Sequence, residues 1–464
     1  MQERDDEEGW SKPTLARFER QMPRWWPAVS WVLAGVLFTL AVSLLLATAG
    51  IGGLAAGLAV AFGLTWAKAW RRDVRLRRQL WIALAGITLV GAIWDGYSFV
   101  RYVTTYNGDS LSQRASTWGR DHGLSPIIDW LESNVYDEPP SRAPAEQLSL
   151  AVTTTTAAPT PSTEPTHTTD QVTTTTIFRP PAPEPLATRF DPPLAGEGQW
   201  IPVAQASGTD AMWATSLRPL PDYGGVVASV VVIDQTYVRA GLFNGNEQPR
   251  GDWQRDDHVP TELLPALMAA MNGGFRLEHS YGGYVTEGIV VQELVPGRAT
   301  IGIDREGKIT IGELGRDLFD DGSWLTLRQN IILMVDGGQS QVARSRQARV
   351  TWGAHATGDL FVNRSALCQL TDGRLAYVMA GKVNPTQMAE VLIGIGCDKA
   401  IQLDINAQWP NFTVFPHASD GTVVPFAVDR RMNSDGMRYI KRASKEFFAF
   451  FDATLVPGQS VLDA

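Results

Sequence analysis

The sequence predicts an α+β outer domain, with mixed short-stranded sheets and a few helices, preceded by an all-α transmembrane anchor. Three observations lead to this fold class. Long apolar stretches occupy residues 28–100, a tract rich in Thr and Pro follows at 138–193, and short β-branched runs fill 194–464. Few helical periods interrupt those runs, which argues against a doubly wound α/β sheet. Roughly 270 residues after the tract are enough for one sizeable core.

The amino-terminal part predicts a membrane anchor. A tail at 1–27 precedes apolar stretches at 28–49, 51–70 and 80–100, each long enough to cross about 30 Å of hydrocarbon. Arginines before the first stretch, and a basic cluster at 68–78, place the amino terminus in the cytoplasm by the positive-inside rule. The expectation is a multi-pass plasma-membrane protein in the lipid bilayer with its carboxy-terminal domain extracellular. Asp95 is expected at a headgroup position or in a proton relay.

Two segments are expected to separate anchor and domain. Residues 101–137 form a juxtamembrane segment, with Trp118 and Trp130 on a short amphipathic helix. Residues 138–193 are too polar and Pro-rich to fold and are predicted to be disordered, either as a plain linker or as a stalk carrying O-linked sugars.

The domain itself carries local signals for its elements. A short helix is predicted at 260–268, and a strand at 269–271 leads into Asn272, Gly273 and Gly274, where glycine permits positive φ or close approach of a ligand. Further strands are predicted at 224–234, 237–243, 287–292, 299–303, 308–314 and 330–335.

The clearest signals lie at 361–406. An Asp-Gly turn at 371–374 joins apolar runs at 365–370 and 375–380 and predicts a hairpin. Asn384, Pro385 and Gln387 form the start of a capped helix. A buried strand at 399–404 then ends in Asp404, and an irregular stretch with Asn406 follows. Polar groups at strand ends often form sites.

No standard enzyme signature is present. The sequence lacks a GxSxG, an HExxH, a P-loop and a paired CxxC, and its six histidines show no ligand spacing. We therefore predict no metal and no cofactor. The net charge of −9 argues against nucleic acid, which requires a clustered basic face.

Five features in order resemble the phosphodiester glycosidase domain family: the loop 271–275, the segment 364–366, the Asp-Gly hairpin, the helix at 388–392 and the strand at 400–404. That family includes the lysosomal uncovering enzyme and many bacterial surface proteins. Asn272 to Phe275 match its Asn-Gly-Gly-aromatic loop, Arg364 with Ser365 its Arg-Thr/Ser-Ala strand, and Asp404 the start of its Asp-Gly-Gly-Gly-Ser loop. Residues 405–408 depart from those glycines and serine.

The resemblance implies hydrolysis of a glycosyl phosphodiester. Its oxocarbenium-like transition state needs a nearby carboxylate, for which we select Asp404 and Glu287. Arg364 offers the planar fork that holds phosphate. Asn272, Gly273, Gly274, Ser365 and Asn406 are the expected substrate-binding residues. The alternatives are structural: a loop cap for Asp404, an ion pair for Arg364, a solvated charge for Glu287 and a simple turn at Asn272.

Two cysteines remain, Cys368 and Cys397. An extracellular domain permits a disulfide between them, and two buried thiols are the alternative. The function expected from the whole sequence is that of a membrane-anchored extracellular hydrolase acting on phosphate-linked glycans of the cell envelope. The rival hypothesis is a glycan-binding or envelope-organising module without turnover, which the altered loop after Asp404 favours.

Overall fold

The computed structural model describes residues 74–464 except for 107, 125–126, 129–130, 132–137, 152–181, 346–350, 354–360, 406–408, 419 and 433–434. The chain divides into two compact units, Met1–Arg101 and Tyr102–Ala464. In the first unit, the described residues belong to helix α1, whose bounds are Val74–Thr104. The second unit contains the remaining elements.

Helix α1 covers the third predicted membrane span. In the part of the chain that the structure describes, we find no helix that combines the length and the apolar character needed to cross a bilayer. The predicted all-α transmembrane anchor and the multi-pass plasma-membrane localisation are therefore wrong. Asp95 interrupts this apolar stretch, and a carboxylate in hydrocarbon costs about 2.5 to 3.5 kcal/mol. The spans predicted at 28–49 and 51–70 lie outside the described residues.

The second unit is mostly β-sheet, so the predicted α+β class is also wrong. Its described strands are β1 Ile201–Ala206, β2 Thr209–Leu217, β3 Ala228–Ile233, β4 Val238–Phe243, β5 Leu267–Asn272, β6 Tyr284–Thr286, β7 Ile289–Gln292, β8 Ala299–Asp304, β9 Ile309–Glu313, β10 Trp324–Gln329, β11 Val335–Asp336, β12 Gln339–Ser340, β13 Val362–Leu370, β14 Leu375–Val383, β15 Cys397–Ile405, β16 Phe412–Val414, β17 Phe426–Ala427 and β18 Phe447–Asp452. Turns and loops, not helical crossovers, join most of these strands.

The described helices of this unit are α2 Leu111–Asp121, α3 Leu277–Ser280, α4 Pro385–Gly394 and α5 Arg438–Lys441, with 3₁₀ turns at Thr261–Ala266, Val342–Arg344 and Val461–Asp463. The strands form three sheets. Sheet I has the order β1-β2-β3-β14-β13-β15-β11-β12, sheet II β7-β6-β10-β8-β9, and sheet III β17-β16-β5-β18-β4. The paired strands are antiparallel, as in the register of β13 with β14 and with β15.

The core follows the two-residue period of the strands. On one face of sheet I, Leu367, Tyr377 and Leu403 pack with residues of sheets II and III in a shared cluster. On the opposite face, Ala366 and Val378 pack with α4. Sheet I is consequently buried on both sides, and the three sheets meet on its inner face.

Several local predictions are confirmed. Strands β13 and β14 form the hairpin around residues 371–374, and α4 begins with the predicted capping box of Asn384 and Gln387. Cys368 and Cys397 form a disulfide. The helix predicted at 260–268 is instead a 3₁₀ turn that passes into β5. The strand predicted at 330–335 is absent except for Val335, which begins the two-residue β11, because β10 already ends at Gln329. Ile331, with φ of 51°, lies in the left-handed region and breaks that strand.

The described parts of the predicted linker belong to the second unit and make contacts within it. The Ser149 hydroxyl donates to Asp429 Oδ2 over 2.8 Å, and the Arg218 guanidinium lies 4.7 Å from the centre of the Phe190 ring. These contacts flank residues 152–181, which are outside the described residues.

Candidate active site

The candidate site lies where strand ends from the three sheets converge. Strand β5 of sheet III ends at Asn272, β15 of sheet I ends directly after Asp404, and Lys445 and Glu446 immediately precede β18. Arg328 reaches this point from β10 of sheet II. The antiparallel pairing of β18 with β5 brings Phe447 opposite Asn272, which places the two segments side by side.

Asp404 and Lys445 form the centre of the site. The Lys445 ammonium donates to Asp404 Oδ2 and to the carbonyl of Gly274 over 3.0 Å. Its Nζ also lies 4.9 Å from the centre of the Trp409 ring, a cation–π contact. Asp404 is 8 % exposed. Burial raises the pKa of this carboxyl, and the neighbouring Lys445 opposes that rise.

Asn272 fixes the backbone around this pair. Its amide donates to the Gly273 carbonyl and to the Ser365 hydroxyl, and its Oδ1 accepts from the Tyr377 hydroxyl and from the Asn411 backbone amide, each at 2.9 Å. The side chain thus makes four hydrogen bonds within the fold. Ser365 in turn donates to the Asp404 carbonyl over 2.7 Å. Asn272 and Ser365, two of the five expected binding residues, therefore hold the backbone around Asp404.

The backbone carbonyls of Gly273 and Gly274 accept hydrogen bonds from Asp404 and Lys445. The Gly273 carbonyl accepts from the Asp404 amide over 3.1 Å, while that of Gly274 accepts from Lys445. A Cβ at position 273 would lie 2.7 Å from the Glu446 carbonyl oxygen. Glycine is required at this position because the backbone of the segment before β18 approaches so closely.

A second buried ion pair flanks the first. Arg328 Nη2 lies 2.7 Å from Glu446 Oε1 and donates to the Phe275 carbonyl over 2.5 Å. Both residues are at most 2 % exposed. Two cations therefore hold consecutive carbonyls of the loop 273–275.

Arg364 lies close to these elements but points elsewhere. It is fully buried, and its guanidinium donates to the carbonyls of Val383 and Trp352 and to Gln402 Oε1. These contacts tie β13 to its neighbours.

The structure does not bring Glu287 to the pair. Its carboxylate accepts from the backbone amides of Gln254 and Arg255 over 2.9 and 2.8 Å, and its φ of 53° belongs to the turn after β6. Asn406 lies outside the described residues.

Lys445, Glu446 and Arg328 were missed by sequence reasoning. A local signal existed for two of them: Lys445 and Glu446 are adjacent charges directly before the apolar run 447–451. Charges at a strand end are common, so that signal predicts a site only when a partner is known. Among the described residues, no group of three or more His, Cys, Asp and Glu side chains could hold a metal ion.

A cavity of about 450 Å³ lies elsewhere, near the start of β5. It is lined by Pro202, Leu267, Met268, Phe415 and His417 among others. Asn272 lies at the opposite end of the same strand, so this cavity is separate from the candidate site.

Comparison with known proteins gives limited similarity. No protein-family model matches the chain, and no curated protein matches it by sequence. Among solved structures it is similar to the zebrafish N-acetylglucosamine-1-phosphodiester α-N-acetylglucosaminidase catalytic domain auto-inhibited by its pro-peptide, at 18 % identity and a TM-score of 0.37, over 54 % of this chain and 87 % of that one.

Two further solved structures are similar over about half of this chain. A hypothetical protein from Synechocystis matches at 11 % identity and a TM-score of 0.36, over 53 % of this chain and 63 % of that one. A putative exported protein from Burkholderia pseudomallei matches at 12 % identity and a TM-score of 0.25, over 50 % and 75 %. Such weak similarities support no conclusion about activity, which has to be argued from the site.

Proposed function

We propose that the second unit is a hydrolase that cleaves a glycosyl phosphodiester, the phosphate-linked glycan expected from the sequence. The observation that carries the proposal is the buried Asp404–Lys445 pair beside Trp409. A carboxylate, a cation and an indole ring are the groups that a sugar phosphate requires. They interact respectively with the developing positive charge, the phosphate and the apolar face of the ring.

The two charges have separate tasks in this mechanism. A substrate phosphate competes with Asp404 for the Lys445 ammonium, because both are oxyanions. When Lys445 moves to the phosphate, the Asp404 carboxylate becomes available to the sugar. It then stabilises or attacks the anomeric carbon as the bond from that carbon to the phosphate oxygen breaks.

Water completes the reaction. Its oxygen bonds to the anomeric carbon, the bond to Asp404 breaks where that carboxylate has attacked, one proton is released, and the products are free sugar and a phosphomonoester. The departing phosphate is a good leaving group, so a strong general acid matters less than the cation. We assign the phosphate to Lys445 and not to Arg364, because the Arg364 guanidinium is enclosed by backbone carbonyls.

The test is release of sugar and phosphomonoester from a panel of glycosyl phosphodiesters by the full chain. Asp404→Asn should abolish turnover, and the fold of the variant is checked by circular dichroism because Lys445 loses its partner. Asp452→Asn is the matched control, since Asp452 is a buried carboxylate at the other end of β18, bonded to Ser207 and Thr454. Absence of turnover on every substrate, with saturable glycan binding by parent and variant alike, would favour the binding module instead.

A further inference from the structure

Lys445 and Glu446 are adjacent in sequence, carry opposite charges and form ion pairs on the two sides of the loop 273–275. Lys445 pairs with Asp404, and Glu446 pairs with Arg328. Successive side chains of an extended segment point to opposite faces, so the two pairs lie on either side of the chain. The side chains of Asp404 and Glu446 are 11 % and 1 % exposed.

The loop 273–275 is held from both sides by these pairs. Lys445 donates to the Gly274 carbonyl over 3.0 Å, and Arg328 to that of Phe275 over 2.5 Å. The Gly273 amide donates to the Glu446 carbonyl over 3.2 Å. The loop 273–275 therefore couples the position of Glu446 to that of Lys445.

Resting on the proposed function, we propose that Glu446 is a second carboxylate of the site and acts as a positioning residue. It holds Arg328 and the loop in place and sets the charge around Asp404. Glu446 does not touch substrate in this proposal, because its side chain is enclosed.

The two oxygens of Glu446 differ. Oε1 accepts from Arg328 Nε over 3.2 Å and from Nη2 over 2.7 Å. Oε2 is buried and has no hydrogen-bond partner among the described residues. A structural ion pair would be expected to satisfy both oxygens. The unpartnered oxygen leaves part of the negative charge uncompensated beside the site.

The charge of Glu446 reaches Asp404. Burial raises the pKa of the Asp404 carboxyl most, Lys445 lowers it, and the negative charge of Glu446 raises it by a smaller contribution. Arg328 faces Glu446 from β10, while the neighbours of Asp404 on β13 and in the loop are the neutral Ser365 and Gly273. Lys445 and Glu446 thus set the protonation of Asp404 with opposite signs.

Close packing fixes where the Glu446 carboxylate lies. A Cβ at Gly273 would be 2.8 Å from Glu446 Cγ and 2.9 Å from Oε1. The carboxylate is therefore pressed against the backbone of the loop that it is proposed to position.

The test compares wild type with Glu446→Gln in the full chain. The glutamine keeps an acceptor for Arg328 but removes the charge. The titration of Asp404 is followed by ¹³C NMR of labelled aspartate carboxyls, with its resonance identified from Asp404→Asn. We expect a lower midpoint in Glu446→Gln because a negative charge is removed, and a lower kcat with little change in KM because Arg328 then holds the Phe275 carbonyl less firmly.

Glu197→Gln is the matched control. Glu197 is as buried as Glu446 and also pairs with an arginine, Arg218, at 2.6 Å. Its variant should leave the Asp404 midpoint and kcat unchanged. If Glu446→Gln does not fold, Glu446→Asp replaces it, because withdrawing the charge by one methylene should lower the midpoint in the same direction.

An unchanged Asp404 midpoint in the folded Glu446 variant would overturn the proposal. The titration needs no turnover. A wild type that cleaves no phosphodiester would therefore refute the proposed function, while the role of Glu446 beside Asp404 would still be decided by the NMR measurement.

Discussion

Asp404 and Lys445 form an ion pair across 41 residues of sequence, at the point where three sheets meet. Their side chains are only 11 % and 9 % exposed. The pair brings together the end of β15 and the segment before β18, and it is completed by the Gly274 carbonyl and the Trp409 ring.

Replacing one member of the Asp404–Lys445 pair should lower the free energy of unfolding more than replacing both members. Lys445→Met leaves a buried carboxylate without its cation and is expected to lower the free energy of unfolding by about 3 to 5 kcal/mol. The double variant Lys445→Met with Asp404→Leu should lose less of the free energy of unfolding, since it leaves no unpaired buried charge. Urea unfolding of the four proteins of the cycle measures the difference, and equal losses in the single and double variants would contradict the pairing.

The activity should depend on pH through Asp404. Burial raises the pKa of this carboxyl above its ordinary value of 3.8, and the proposed mechanism uses its charged form. The acid limb of kcat/KM should consequently have its midpoint above 3.8, and activity should rise as the pH increases through it. A midpoint at or below that value would argue that Asp404 is not the titrating carboxylate.

The disulfide should contribute substantially to stability. Cys368 and Cys397 are 29 residues apart, and closing such a loop stabilises by about 3.5 kcal/mol in the chain-entropy model. Cys368→Ser with Cys397→Ser should lower Tm relative to oxidised wild type. Reductant should lower the Tm of wild type but not that of the variant; the same response in both would show that the loss has another cause.

Asp429 should make the fold sensitive to acid. Its carboxylate accepts from Ser149, Ser229 and Arg431. Burial alone would raise its pKa, but the bonds from Arg431 and Ser229 hold the pKa below 3.8. The unfolded chain then binds the proton more readily, so the stability that Asp429 contributes is present above pH 3.8 and is lost as the pH falls through the lowered folded pKa.

Asp429→Asn tests this expectation. The variant should lose about 1.5 to 3 kcal/mol at pH 7, because charge-assisted hydrogen bonds are replaced by neutral ones. Its free energy of unfolding should also decline less steeply than that of wild type below pH 4, as measured by urea titration at several pH values. Parallel curves for the two proteins would exclude Asp429 as the group responsible.

The sequence determined the features that depend on neighbouring residues. The Asp-Gly turn fixed the β13–β14 hairpin, and Asn384 and Gln387, three positions apart, formed the capping box of α4. The end of β15 near Asp404 was also predicted, as a buried strand over 399–404. Such signals succeed because the interacting groups are close along the chain.

The tertiary structure alone decided the composition of the site. Lys445 meets Asp404 and Glu446 meets Arg328 only because strands from different sheets converge, and 118 residues separate the second pair. It also gave Arg364 its carbonyl partners and placed Glu287 against Gln254 and Arg255. No local propensity encodes these contacts, because sheet order depends on which apolar faces are buried together over the whole chain.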